Sequence, residues 1–447
     1  MKKNDSFFKT VCSLAVPVTL QSMLQSSFSI VDQIMIGQLG TVSVAGVGLA
    51  GKFSSIYSVV ISAIGAVAGI MIAQYLGQKN KYEVRRSFYT NLILGAVIAA
   101  LFMFFCILFP EPTMGLYTKD VATREEAGNY LAIVAGIFLP MASATLLSTL
   151  FRCIEKARLP LYASIVSALL NTGLNYILIF GKLGFAPMGV QGAAIATLVS
   201  QCANLVLMIL MFPHKNSVLK KTEQKEIESS SLNWKQYLSI LLPILACDFL
   251  WSLGENIYAG IYGHMGTEAT AAMTLINPIQ GLVIGALCGL SQAAGVIVGK
   301  KLGNGDYGDA YKAAKKLIFY GAVGSFILSG LVVLTAGFYV QIYRVEEVVK
   351  QLTVQILCAY ALIAPFKVLN MILGGGIIRS GGRTKYVMVI DIIGTWCFGV
   401  PLGFLAAFVL KLSIPYVYFI LSLEECVRFA ISVGVFRRKK WMQQLEA

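Results

Sequence analysis

Leu92-Ile-Leu-Gly-Ala-Val-Ile-Ala-Ala-Leu-Phe-Met-Phe-Phe-Cys-Ile-Leu-Phe109 is a run without a charge or an amide. A helix needs roughly 20 such residues to cross a bilayer, so this stretch reads as a membrane span. Leu317 to Val340 repeats the pattern, broken only by Gly, Ser, Thr and Tyr. Composition agrees: 57% of the 447 residues are hydrophobic and 13% charged, against about 25% charged in a soluble domain. The first apolar stretch, Val11 to about Ile36, is too long for the core of a removable signal peptide and is expected to stay in the fold.

Apolar windows set against charge clusters give twelve helices. They are expected near 11–36, 44–76, 88–109, 122–150, 160–181, 188–212, 235–263, 270–299, 314–341, 347–377, 386–410 and 415–436. The basic residues alternate with them. Lys2, Lys3 and Lys9, then Lys79, Lys81, Arg85 and Arg86, then Arg152, Lys156 and Arg158 fall on one side. So do Lys215, Lys220, Lys221, Lys225 and Lys235, Lys300, Lys301, Lys312, Lys315 and Lys316, Arg379, Arg383 and Lys385, and Arg437 to Lys440. The intervening loops offer only Lys119, Arg124, Lys182, Arg344, Lys350 and Lys411. The positive-inside rule then puts both termini in the cytoplasm of a bacterial or archaeal inner membrane. The net charge of +14 is thereby topogenic, and no nucleic-acid partner is expected because no base-stacking aromatics accompany the clusters.

Sliding the chain by 226 residues lays Gly37-Gln-Leu-Gly40 on Gly263-His-Met-Gly266 and, without a gap, Leu76-Gly77 on Leu302-Gly303. Residues 1–212 and 235–447 are therefore expected to be two six-helix lobes joined by a polar cytoplasmic linker over 213–234. An even helix number per half implies a pseudo-twofold axis along the membrane normal with a V-shaped cavity enclosed, the arrangement that alternating access requires. No phosphate-binding Gly-rich loop is present, so an ion gradient is the expected energy source and no enzyme activity is read. The nine cysteines fall singly, His214 and His264 lie in different connections, and neither set suggests a cofactor.

Ionisable side chains inside spans cost about 2.5 kcal/mol or more and so mark function or need a partner. They are Asp32, Lys52, Asp248, Glu255, Lys367, Asp391, Glu424, Glu425 and Arg428. Gln21, Gln25, Phe28 and Asp32 follow at helical steps and share one face of the first helix. Asn171 and Asn175 share a face of helix five, as do Thr197, Gln201 and Asn204 of helix six. One carboxylate with several neutral oxygens suits Na⁺, and equally suits a proton held on Asp32. Asp248, Ser252 and Glu255 give the second half its own acidic stripe, with pairing to Lys367 as the structural alternative. Glu424 and Arg428 are spaced to pair with each other, and Asp391 lies near the basic turn. Met23, Phe28, Tyr57, Tyr258 and Met273 are candidate walls for a cavity accepting cationic, amphipathic small molecules. Such a molecule and the ion would compete for the acids, so inward ion movement expels the cargo.

Several motifs in this order resemble the multidrug and toxic compound extrusion (MATE) transporters over essentially the whole chain. They are Val31-Asp32-Gln-Ile-Met-Ile-Gly37, Gly77, Asn171-Thr-Gly-Leu-Asn175-Tyr-Ile-Leu-Ile-Phe-Gly181, Gly189-Val-Gln-Gly-Ala-Ala-Ile-Ala-Thr197, Tyr262-Gly-His-Met-Gly266 and Arg379-Ser-Gly-Gly382 with Asp391. The resemblance implies export of organic cations by Na⁺ or H⁺ antiport, with Asp32, Asn171, Asn175 and Thr197 at an amino-lobe coupling site. Relatives carry an acid where Asn175 stands, so this chain has one negative charge fewer there. Other relatives place an acid in helix seven, for which Asp248 and Glu255 both qualify. A lipid-linked saccharide flippase of the same superfamily and an exporter of a cellular metabolite are the alternatives; no obligate protein partner is implied.

Overall fold

The computed structural model describes residues 2–212, 219, 233–343 and 345–446. Most of the expected linker, with His214 and Lys215, Lys220, Lys221 and Lys225, lies outside these residues, as does Arg344.

The described chain is all-helical. In order, α1 is Lys2–Gly37, α2 Thr41–Gly77, α3 Lys81–Leu108, α4 Val121–Cys153, α5 Arg158–Phe180 and α6 Gly189–Leu210. There follow α7 Trp234–His264, α8 Thr267–Gly303, α9 Tyr307–Gln341, α10 Glu347–Ile378 and α11 Thr384–Val409. Each of these eleven is long and apolar enough to cross a membrane. The twelfth expected span, α12, runs as Ile414–Ser422 and Glu424–Arg437, parted at Leu423. The break falls where Glu424, Glu425 and Arg428 bring charge into the span.

Several helices outrun their apolar windows into polar turns. Asn80 accepts the Glu83 N–H at 3.1 Å, so α3 begins at Lys81 and carries its basic residues on its first two turns. The sequence repeat is visible in the boundaries. Thr41 and Gly77 bound α2 as Thr267 and Gly303 bound α8, and α3 and α9 begin at the corresponding residues Lys81 and Tyr307. Gly40 and Gly266, which precede α2 and α8, have φ of 104° and 117°. This is a backbone conformation that a side chain would strain, and it explains why glycine recurs at both positions.

The chain clusters into two compact units. The amino-half unit contains Leu20–Ile72 and Asn80–Glu226, and the carboxy-half unit contains Met1–Thr19, Ala73–Lys79 and Ile227–Ala447. In the amino-half unit, Tyr57 is fully buried and donates to Phe138 O at 2.5 Å, so it is a core residue and lines no cavity. In the carboxy-half unit, α10 widens to π-helical turns over Met371–Ile378, around Gly374-Gly-Gly376. Ser291 donates to the Met371 carbonyl there at 2.7 Å, giving the loosened backbone a partner.

Candidate functional site

Within the amino-half unit, α1, α5 and α6 converge on Asp32. Asn175 Nδ2 donates to Asp32 Oδ1 at 2.7 Å and reaches Asn171 Oδ1 at 3.2 Å. The Asn171 amide extends the chain to α6, lying 3.5 Å from Thr197 Oγ1 and 3.3 Å from Ser200 Oγ. The helical step of four that joins Asn171 to Asn175 puts both on one face, and both are buried. All four residues read from the sequence as a coupling site therefore lie together.

The cluster leaves one acceptor over. Asn175 Oδ1 is buried without a hydrogen-bond partner. The Asn171 amide atom that faces Asp32 stands 2.9 and 3.1 Å from its two carboxyl oxygens. With its nitrogen facing the acid, the Asn171 amide donates to both oxygens, so two side-chain amides hold Asp32. Among the described residues Asp32 has no cationic partner within ion-pair distance.

Several neighbours were not legible beforehand. Ser167 donates to Ser200 O at 2.7 Å and fixes α5 against α6, while Ser200 donates to Thr197 O at 2.9 Å. Tyr130 of α4 packs on the cluster of Ile36, Ile179 and Ala193 and lies within electrostatic reach of Asp32. Serine spacing carries no signal in a membrane helix, and only the tertiary fold brings Tyr130 near. Gln21 donates to Ser164 Oγ at 2.9 Å, tying α1 to α5. Gln25 is exposed, Phe28 and Gln201 are half-buried, and no hydrogen bond draws either glutamine into the cluster.

The acids of the carboxy-half unit have a different environment. Asp248 pairs with Arg379 at 3.5 Å, not with Lys367. Arg379, grouped with the basic turn in the sequence, thus turns inward from the end of α10. Arg428 stands 3.6 Å from Asp391, 3.7 Å from Glu424 and 4.0 Å from Glu425, and also donates to Thr395. Tyr258 donates to Glu424 Oε2 at 2.6 Å, and Cys247 to Asp391 Oδ2 at 2.6 Å. Glu255 has no such partner. It lines a cavity of 260 Å³ with Tyr258, Met273, Lys367, Tyr418 and Glu424. A second cavity of 300 Å³ holds Asp248, Arg379, Asp391 and Arg428, and Lys367 and Glu425 line both. Four of the five acids here thus share two arginines, Glu255 has Lys367 in its cavity, and among the described residues Asp32 is the acid of the amino-half cluster with no cation at ion-pair distance.

A MatE family profile matches residues 17–177 and 243–405, which is most of the chain. Among similar proteins, the uncharacterized transporter YisQ of Bacillus subtilis is 21% identical over 99% of this chain and 97% of its own length. The probable multidrug resistance protein NorM of Thermotoga maritima is 24% identical over 97% of this chain and 93% of its own. The Vibrio cholerae MATE transporter VcmN in its bent form superposes with a TM-score of 0.88 at 16% identity, covering 99% of this chain and all of that one.

Proposed function

The chain belongs to the MatE family of transporters, and from that premise we propose that it exports amphipathic organic cations across a prokaryotic cytoplasmic membrane by Na⁺ or H⁺ antiport. Both termini then face the cytoplasm, as the alternation of Lys and Arg between loops requires. The observation that carries this reading is the Asp32 cluster, an acid held by buried amides with no cation at ion-pair distance among the described residues.

Such a cluster has two states. With a proton on Asp32, its charge is gone, and the amides of Asn171 and Asn175 still hold the carboxyl. With Na⁺, the ion draws on the same acid, on the unpartnered Asn175 oxygen and on Thr197. Either occupant cancels the negative charge that would hold a cationic cargo. An inward-moving ion therefore displaces an outward-moving molecule without both needing to be bound at once. One-for-one exchange with a singly charged cargo moves no net charge, so the ion's concentration gradient drives it, and a tenfold ion gradient, about 1.4 kcal/mol, supports about a tenfold cargo gradient. Glu255, beside Met273, Tyr258 and Tyr418, offers cationic cargo a second acid with aromatic walls.

The test uses proteoliposomes loaded with ethidium, under a Na⁺ gradient or a pH gradient imposed separately. One gradient should drive dye out through the wild-type protein, and Asp32→Asn should abolish that coupling. Normal antiport by Asp32→Asn would move the site to Glu255; dye that neither gradient moves would defeat the organic-cation reading.

A further inference from the structure

The segment Trp441–Glu446, which follows α12, plays no part in the sites described above, yet it is built into the carboxy-half unit. Trp441 is fully buried, stacks on Phe436 with ring centroids 5.7 Å apart, and donates its indole N–H to Phe436 O at 3.2 Å. Leu445 is buried beside Gly382 and Ile240. The Arg379-Ser-Gly-Gly382 motif makes the room. A side chain at Gly381 would strike the Trp441 carbonyl, and Gly382 takes a φ of 72° with the Leu445 side chain where its own Cβ would point.

The polar groups of this segment are spent on the end of α2. Gln74 is fully buried. Its Nε2 donates to Ser380 O at 2.7 Å and Gln443 O at 3.1 Å, and its Oε1 accepts the Leu445 N–H at 2.8 Å. Gln78 donates to Leu445 O at 2.8 Å and Tyr75 to Glu446 O at 3.1 Å. On the other side Gln444 donates to Gly303 O, the last residue of α8, at 2.7 Å, and Arg383 donates to Gln443 Oε1 at 2.5 Å. Beneath the segment, α2 and α8 cross backbone on backbone. A Cβ at Gly77 would meet the Lys300 carbonyl, and one at Gly303 would meet the Gln74 carbonyl, a reciprocal pair at the two equivalent places of the repeat. The glycines allow this approach.

We propose that Trp441–Glu446 is a strap that latches the ends of α2 and α8 together and must release before the transporter opens on that face. The proposal rests on the alternating-access reading given above. In that cycle, helices from the two halves of the repeat must part on the face we read as cytoplasmic. Four hydrogen bonds run from Gln74, Tyr75 and Gln78 to the strap, and each typically shifts an equilibrium about two- to twelvefold, so together they govern how often this face opens.

Hydrogen exchange of the full-length protein in nanodiscs reads the latch without any cargo. Gln74→Met keeps the volume but removes three hydrogen bonds, and Leu445→Ala loosens the strap without touching α2. Both should raise exchange of the amides at 303–305 and 443–446 by about tenfold or more. Unchanged exchange in both variants would overturn the proposal. The second arm bridges Gln78→Cys to Glu446→Cys with a short bismaleimide, in a chain whose exposed Cys202 and Cys397 are serine. The bridge should cut gradient-driven ethidium efflux at least tenfold relative to the unbridged pair. Full transport by the bridged protein would show that the strap need not release, and the latch would be wrong. If exchange responds but unmodified protein moves no dye under either gradient, the cargo reading falls and the latch stands on the exchange result.

Discussion

Arg428→Met tests whether the carboxy-half acids are held by charge balance. Arg428 is buried, and the three carboxylates around it lie at 3.6, 3.7 and 4.0 Å with side chains 21%, 9% and 8% exposed. Two unit charges 4 Å apart attract by about 4 kcal/mol at the effective dielectric that suits such sites, and burying the ions offsets much of that. Removing one partner gives no such relief, because Asp391, Glu424 and Glu425 stay buried without their counter-charge; the expected loss is about 3–5 kcal/mol. At ~2 °C per kcal/mol, thermal unfolding in detergent should fall by about 6–10 °C. The assay is intrinsic-fluorescence melting of the purified variant, with the triple variant Arg428→Met, Glu424→Gln, Glu425→Gln beside it. The triple variant should regain more than half of the loss, since neutral amides no longer need the cation. A single variant melting within 1 °C of wild type would refute the reasoning. So would a triple variant no better than the single one, because the loss would then be one of packing.

Asn175→Leu should lower ion-coupled dye efflux about tenfold and stability by about 1–3 kcal/mol, since Asp32 loses its 2.7 Å donor; initial efflux rates and melting check the two effects. Gly303→Ala should cost about 1–3 kcal/mol by forcing a methyl onto the Gln74 carbonyl, whereas Gly330→Ala on α9, with open space around it, should stay within about 0.5 kcal/mol of wild type by melting. Asp120 caps α4 by accepting the Thr123 N–H at 2.9 Å and its hydroxyl at 2.5 Å, and these bonds hold its carboxyl below the usual carboxylate range. Its contribution is therefore present above the ordinary carboxylate value of about 3.9 and lost as pH falls through the lowered one. Asp120→Ala should speed exchange in the first turn of α4 at pH 7, and the difference should vanish at strongly acidic pH.

The fold was legible because a bilayer imposes one length and one polarity on every span. The apolar windows found the helices but cut them short. The window at 88–109 misses Lys81 to Ser87, and the one at 314–341 misses Tyr307 to Ala313, because charges there mark the membrane surface and not the helix end. The repeat at 226 residues was legible for a sharper reason. Gly40 and Gly266 need positive φ, and Gly77 and Gly303 need room for a carbonyl, so four glycines had to stay in register. The amino-half cluster was legible wherever one helix face carried it, as with Asn171 and Asn175. Pairings across long stretches of sequence were not. Nothing in the spacing of Asp248 and Arg379, or of Cys247 and Asp391, says that they meet.

Those long-range pairings change what the acids can do. An acid beside arginine draws on that counter-charge, so an incoming cation must compete with a fixed guanidinium. Asp248, Asp391, Glu424 and Glu425 are in that position. Asp32 has only side-chain amides on it, which supply no charge of their own. On the proposed antiport reading, a mobile cation meets no fixed cation at ion-pair distance at Asp32, although the carboxy half holds more acids.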